Sequence, residues 1–598
     1  LCRGLGAAAI LAAGALAPAF AGEKASNKDV KDVKTGFLVI APDRGFAGNE
    51  EIADAFDVFA KGRNASLVFI TDERSSNYLK SGVDRLMVNG ARRIAALPLF
   101  ISAADPRYQL ARALLDQGRP SVPVSYGRPY GETFFAVEDL ADRLRTVKDP
   151  SSSRLIVAGY GATDDGNEQA MRADLRRIAE SAAAGFGFLS TDFVIAHNVK
   201  GEEGEKRAAL FKRQLADALN NPASAHTGAR NTVVVPFHLG PRFDSMMSFD
   251  AQLKRQLPAG VEYIPNNGAG GSTVSNLATW LTHAANRSGQ RATEDFGIIV
   301  LSHGSDFIWN ESIRNAVEPL TKAYKIEFAF SMADQAMIER AIRRLEQRGA
   351  KAAIIVRLFA LADSFRRPIQ RMTGADIEEA VAVGNGDHGS AHSQGSHGGH
   401  GGHGHDASAM PGPRIRSTLP IETVGGLGSS PLFAAALLDR ARGLSRNPSR
   451  DTVILVAHGS GDDRLNQQWE ADLQVIAEHM RKAGGNDFLA IRTATWREDW
   501  ANVRDPQIKK IRSMVEDATL QGGRALVIPA RTVGEGPERK FLSGLEYDLG
   551  SGFAPHPKFL QWMEEQIKSG VRQFNNSLSR GTTSTEAEDD TWSPEWAL

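Results

Sequence analysis

Four stretches of the chain, "GFLVIAPDRGFAGNEEI", "RLIVAGYGATDDGNEQA", "GIIVLSHGSDFIWNESI" and "VILVAHGSGDDRLNQQW", are versions of one element. Each opens with an apolar run of β-branched residues and leucine, breaks into a short polar turn and arrives at an asparagine: Asn49, Asn167, Asn310 and Asn466. Such runs, bounded by turn residues, read as strands buried on both faces. The asparagine reads as the N-cap of the helix-period segment that follows, as in "NQQWEADLQVIAEHM". A chain that alternates buried strand and amphipathic helix in this way predicts parallel sheets covered by helices on both faces.

The same phase continues downstream. Third strands are expected at "GARRIAALPLF", "RNTVVVPFHLG", "GAKAAIIVRLFAL" and "GGRALVIPARTV". Fourth strands are expected to end in the glycine-rich turns "YGRPYGE", "YIPNNGAGG", "ETVGGLGSS" and "YDLGSGFAPH", each leading into a last helix. The chain is therefore expected to be α/β, with four repeated units at about residues 36–148, 153–290, 295–445 and 451–576. Ligands in such units belong at the carboxyl ends of the strands.

The flanks read differently. "LCRGLGAAAILAAGALAPAFAGEKA" has a basic start, an Ala/Leu-rich run and the small-x-small group Ala19-Phe20-Ala21, the pattern of a secretory signal over residues 1–21 cut near Ala21. The expected location is periplasmic or otherwise secreted. No other stretch is apolar enough to predict stable membrane insertion. Residues 577–598 are polar and acidic and are expected to form a disordered tail. A net charge of -1 offers no basic field for nucleic acid. The one cysteine, Cys2, lies in the leader, so a metal site must use histidine, carboxylate or backbone oxygen. There is no GxxxxGK[ST] loop, no GxGxxG opening the first helix of a dinucleotide domain and no GxSxG elbow, which argues against nucleotide-driven, dinucleotide-dependent and serine-hydrolase chemistry.

What remains is a histidine at a strand end. His303 and His458 each close a first strand and are followed by Gly-Ser; Pro42 and Tyr160 hold the same place in the first two units. An imidazole there projects into the cleft, and the glycine lets the backbone turn away. Strand-"HGS"-acidic-x-x-Asn, then "IEFAFSMADQAMIERAIRRLEQRGAKAAIIV", then a "GLG" turn resembles the class II, ATP-independent tetrapyrrole chelatases, and most of all the sirohydrochlorin cobaltochelatases of cobalamin biosynthesis. Residues 295–576 carry the resemblance.

The resemblance implies two similar lobes facing each other across a cleft, so that four units make two bilobal modules, the first unit with the second and the third with the fourth. It implies that His303 and His458 meet a divalent ion and take pyrrole protons. It implies that Gly304, Ser305, Gly459, Ser460 and Gly428 line the site of a tetrapyrrole, bound as substrate or ligand. Cobalt is the first expectation for the ion, with iron, nickel or zinc also compatible. The family's second metal-binding histidine, just past the third strand, is missing from "LPLFISAADP", "VPFHLGPRFD", "VRLFALADSF" and "IPARTVGEGP". Asp105, Asp244, Asp363 and Glu535 lie there instead, with Glu535 the expected catalytic substitute; His238 reads as a packed strand residue.

A Gly/Ser-rich segment, 384–406, carries His388, His392, His397, His400, His403 and His405. It cannot bury a core and is expected to be a surface loop that gathers borderline ions without sharp selection. The expected activity is insertion of cobalt or iron into sirohydrochlorin; the alternative is a non-catalytic periplasmic binder of haem or metal ions. The expected partners are thus a tetrapyrrole and metal ions, with no nucleic acid.

Overall fold

A computed structural model describes residues 34–220, 230–239, 248–265, 273–382 and 412–581. The expected leader, the histidine-rich segment and residues 582–598 of the expected tail lie outside the described residues. Among the described residues the strands form four sheets, one per repeat, each four-stranded and parallel throughout.

The first sheet holds β1 (Thr35–Pro42), β2 (Ala65–Ile70), β3 (Arg93–Pro98) and β4 (Val124–Tyr126), in the order β2-β1-β3-β4. The second repeats that order with β5 (Ser153–Ala162), β6 (Thr191–His197), β7 (Asn231–Pro236) and β8 (Glu262–Tyr263). The third has β9 (Phe296–Ser302), β10 (Lys325–Phe330), β11 (Ala352–Leu358) and β12 (Ile421–Gly425). The fourth has β13 (Thr452–Ala457), β14 (Ala490–Thr495), β15 (Ala525–Pro529) and β16 (Asp548–Leu549). In each, the chain leaves the first strand toward one edge and returns to build the other, which opens a crevice at that strand's carboxyl end.

The two faces of each sheet bury different partners. Alternate residues of a strand point to opposite faces. Ile298 and Val300 of β9 share one apolar core with Val453 and Leu455 of β13. Their neighbours Ile299 and Leu301, and Ile454 and Val456, face separate cores. The first two units repeat the arrangement: Val39 of β1 and Val157 of β5 share a core, whereas Leu38 and Ile156 do not. The units are therefore fused pairwise into two modules.

The last helices cross within each pair. The helix Pro557–Gly581 of the fourth unit lies on β11 and β12 of the third. There Phe574 meets Phe296 edge-on at 5.2 Å, and a Cβ on Gly570 would stand 2.8 Å from Ile354. The third unit's last helix, Pro431–Leu444, packs on β15 and on the helix Asp463–Lys482 of the fourth. In the first module the helix Thr273–Arg287 packs on the helix Gly45–Ala60, and its Trp280 meets Tyr130 at 5.3 Å. The segments 36–148, 153–290, 295–445 and 451–576 thus each hold a sheet, but the helix that ends one segment completes its partner. The final helix also continues past 576 to Gly581, five residues into the stretch expected as tail.

The asparagines are not the caps. In units two to four the cap is an aspartate, Asp164, Asp306 or Asp462, whose carboxylate accepts the N–H of Asn167, Trp309 or Leu465. Asn49, Asn167, Asn310 and Asn466 stand inside the helix, and their side-chain oxygens reach back to the N–H groups of Arg44, Thr163, Ser305 and Ser460 at 3.0, 2.8, 3.0 and 3.2 Å. A carboxylate is the better acceptor at the positive end of a helix, and the amide is left to clamp the strand-to-helix turn. The two modules meet through charged pairs, among them Arg414 with Glu138 at 3.0 Å and Arg416 with Asp142 at 2.6 Å.

Candidate metal centre

His458 follows the last residue of β13. The backbone turns sharply behind it: Gly459 has φ +79°, and a Cβ there would lie 2.7 Å from Asn466 Oδ1 and 2.8 Å from Thr495 Cβ. Glycine is required by both the dihedral and the space. The turn is then strapped to the end of β14 by Arg497. Its N–H donates to the His458 carbonyl at 2.7 Å, and its guanidinium donates to the carbonyls of Ser460 and Gly461 at 2.6 and 2.7 Å and to Asp463 at 2.7 Å. Arg497 itself sits at φ +50°, a conformation that costs a non-glycine residue on the order of 1 kcal/mol and persists only where contacts of this kind hold it.

That strap delivers the next two residues to the imidazole. Asp499 Oδ2 lies 3.0 Å and Glu498 Oε1 3.5 Å from His458 Nε2. Donor atoms of the three residues all fall within 4.8 Å of one another, and no other group of metal-ligand residues this tight occurs among the described residues. Nδ1 of His458 faces the Gly459 carbonyl at 2.8 Å, so Nε2 is the nitrogen turned toward the carboxylates. Trp469 stacks on the ring at 5.8 Å and Trp500 meets it edge-on at 5.9 Å, which fixes its plane. One imidazole and two carboxylates form a mixed nitrogen and oxygen set suited to first-row divalent ions. Glu498 is also paired with Arg531, from the turn after β15.

A cleft of about 330 Å³ adjoins the cluster, with Glu498 and Asp499 on one side and the cations Arg504 and Lys540 on its wall.

The other expected residues are placed differently. His303 follows the last residue of β9, with its ring exposed and Nδ1 2.6 Å from the Gly304 carbonyl; it is not part of the three-residue cluster. A few residues further on, Phe307 and Ile308, at the start of the helix Phe307–Val317, are 76% and 75% exposed, and Met332, just past β10, is 42% exposed. Gly304 turns the chain at φ +74°, and Ser305 is held through its N–H by Asn310. Ser460 is buried, and its hydroxyl accepts the N–H of Asp462. Gly428, at φ +47°, packs its backbone against Ala362.

Both carboxylate oxygens of Glu535 are engaged by Arg539, at 2.6 and 2.7 Å, and Glu535 is absent from the cluster. Asp363 is exposed, 3.7 Å from Arg366. Asp105 caps the helix Pro106–Gly118, and Asp244 lies outside the described residues. His238 is buried and bonded to Asp250 at 2.7 Å, as a packed residue should be. The six histidines of 384–406 lie outside the described residues.

Sequence reasoning looked for the missing ligand past the third strand, whereas the acidic pair follows the second. One signal was present. An acidic residue before a helix is usually its cap, as Asp334 is for the helix Gln335–Gln347. "WREDW" instead places two carboxylates before a helix, Ala501–Leu520, that has no side-chain cap.

No family model and no curated protein matches the chain. Solved structures resemble it faintly. A multi-domain protein from Deinococcus radiodurans, described as structurally similar to chelatases with two additional novel domains, is 16% identical at a TM-score of 0.30, over 46% of this chain and 55% of its own. The chain therefore spans about half of that protein. The sirohydrochlorin chelatase SirB from Bacillus subtilis subspecies spizizenii, solved with cobalt, is 16% identical at a TM-score of 0.27, over 41% of this chain and 92% of its own. Overlap at this level identifies no activity.

Proposed function

We propose that the second module takes up a divalent metal ion, cobalt first among the candidates, and inserts it without ATP into a sirohydrochlorin-type tetrapyrrole. The observation that carries this reading is the cluster of His458, Glu498 and Asp499 at the carboxyl end of β13. Nε2 of His458 points at carboxylate oxygens, so one imidazole nitrogen and two carboxylates converge on the position an ion would take. In this reading the exposed Phe307, Ile308 and Met332 of the third unit offer apolar surface to a flat ring, and Arg504 and Lys540 offer cations for its carboxylates.

Insertion replaces two pyrrole N–H bonds by bonds to the ion, and two protons must leave. In this reading the carboxylate pair and His458 release the ion to the ring, His303 accepts one of the two pyrrole protons, and the carboxylates and imidazole that the ion leaves accept the other. The leader pattern of residues 1–21 supports a site of action outside the cytoplasm. The second reading, a carrier that holds ion or ring without joining them, is favoured by Arg531, whose pairing with Glu498 competes with the ion.

The test is absorption spectroscopy of the purified protein with metal-free sirohydrochlorin and Co²⁺, with and without ATP. The expected result is conversion to the metallated spectrum, faster than in buffer and indifferent to ATP. Binding of ion and ring without acceleration assigns the carrier; binding of neither overturns both.

A further inference from the structure

The first module holds a buried cation that the proposed function does not use. Arg44 stands two residues past β1, with a side chain only 6% exposed. Among the described residues its Nε and Nη1 have no hydrogen-bond partner. The Asp105 carboxylate lies 3.8 Å from Nη2, an attraction but not a hydrogen bond, and the ring of Tyr160 lies 5.2 Å from the guanidinium carbon. Arg107, near enough to repel Arg44, leaves a third buried donor, Nη1, without a partner among the described residues. Burial pushes the Arg44 guanidinium below its ordinary range. An unpaired buried donor on a cation is among the least favourable features a folded chain can carry unless an acceptor reaches it.

The nearby carboxylates do not supply that acceptor. Asp43 accepts from Asn49 at 2.8 Å, from the Gly45 N–H at 3.0 Å and from Thr71 at 3.3 Å. Asp105 accepts the Arg107 N–H at 2.9 Å. The helices Gly45–Ala60 and Pro106–Gly118 both begin here, and their N-termini add positive potential. On the side of the second unit stands Gly161, at φ +123°, where a Cβ would lie 3.6 Å from both Arg44 Nη2 and Asp105 Oδ2. Gly161 itself brings no side chain to the guanidinium.

We propose that the carboxyl end of the first module's sheets is an oxyanion site, at which a carboxylate or phosphate group of a small ligand accepts the donors that Arg44 and Arg107 leave unspent. The strand ends that gather acceptors for a cation in the second module gather donors for an anion in the first. This inference does not depend on the chelatase reading.

The test is thermal unfolding and titration calorimetry of the full chain with inorganic phosphate and, separately, malonate, against sodium chloride at matched ionic strength. One saturable site is expected for at least one of the two, and the stronger tells phosphate from carboxylate. Arg44→Met and Arg107→Met are each expected to weaken it roughly tenfold or more, the loss that follows removal of a charged donor, while His458→Ala leaves it unchanged. If Arg44→Met does not fold, Arg107→Met decides. Neither anion acting beyond chloride, binding undiminished in the folded arginine variants, or binding lost on His458→Ala overturns the proposal.

Discussion

The two modules share a frame and differ at its open end. Each fuses two parallel sheets through a common core and exchanges its last helices. Trp280 against Tyr130 in the first module serves as Phe574 against Phe296 does in the second. At the carboxyl ends of the strands the likeness stops. The second module sets His458 against Glu498 and Asp499, and the first sets Arg44 beside Asp105 and Tyr160. Packing constrains the strands on both faces, whereas the turns beyond them meet fewer neighbours and are free to change charge. The second module is itself uneven, because of its two motif histidines only His458 is joined by carboxylates, while His303 is exposed and outside the cluster.

The largest effects should fall on what the modules share. Phe574 and Trp280 are 1% and 0% exposed and come from crossed helices. Phe574→Ala and Trp280→Ala are each expected to cost about 3–5 kcal/mol by denaturant unfolding, with both units of the affected module lost together. A cost near zero in either would show that helix exchange stabilises only one module.

Next comes the competition at the centre. Arg531→Met removes the cation paired with Glu498 and is expected to raise cobalt affinity about threefold to tenfold by titration calorimetry, since an unpaired carboxylate binds a cation better. Unchanged or weaker binding would make the arginine a support of the site rather than its rival. The smallest effect is expected at Glu535, already held by Arg539: Glu535→Ala should change cobalt affinity less than about twofold, the scale of an exposed ion pair. A larger loss would make it a ligand.

The frame was legible because burial on both faces leaves a dense signature. Runs such as "GIIVLS" and "VILVA" can be little else than central strands, and their fourfold recurrence carries the parallel sheets, whereas the pairing of units came only from the family resemblance. Helix exchange was not legible, since Phe574 and Trp280 look the same in a helix whichever sheet they cover. The caps were misread because aspartate and asparagine stand within a few residues of each other in three repeats, and only coordinates separate the N-terminal acceptor from the clamp. His458 was found by its repeat position. Glu498 and Asp499 were missed because their approach to it depends on Arg497 holding a left-handed backbone, a tertiary feature without a sequence pattern.

The central claim is that one imidazole and two carboxylates hold the ion. The direct measurement is a cobalt titration of the protein in which His388, His392, His397, His400, His403 and His405 are changed to serine to remove their background, read by the visible absorption of bound Co²⁺. One ion per chain is expected. His458→Ala, and Glu498→Gln with Asp499→Asn, should each weaken it about 100-fold, while His303→Ala should change it less than about threefold. Binding by the His458→Ala protein equal to that of its parent, or an equal loss on His303→Ala, would contradict the account.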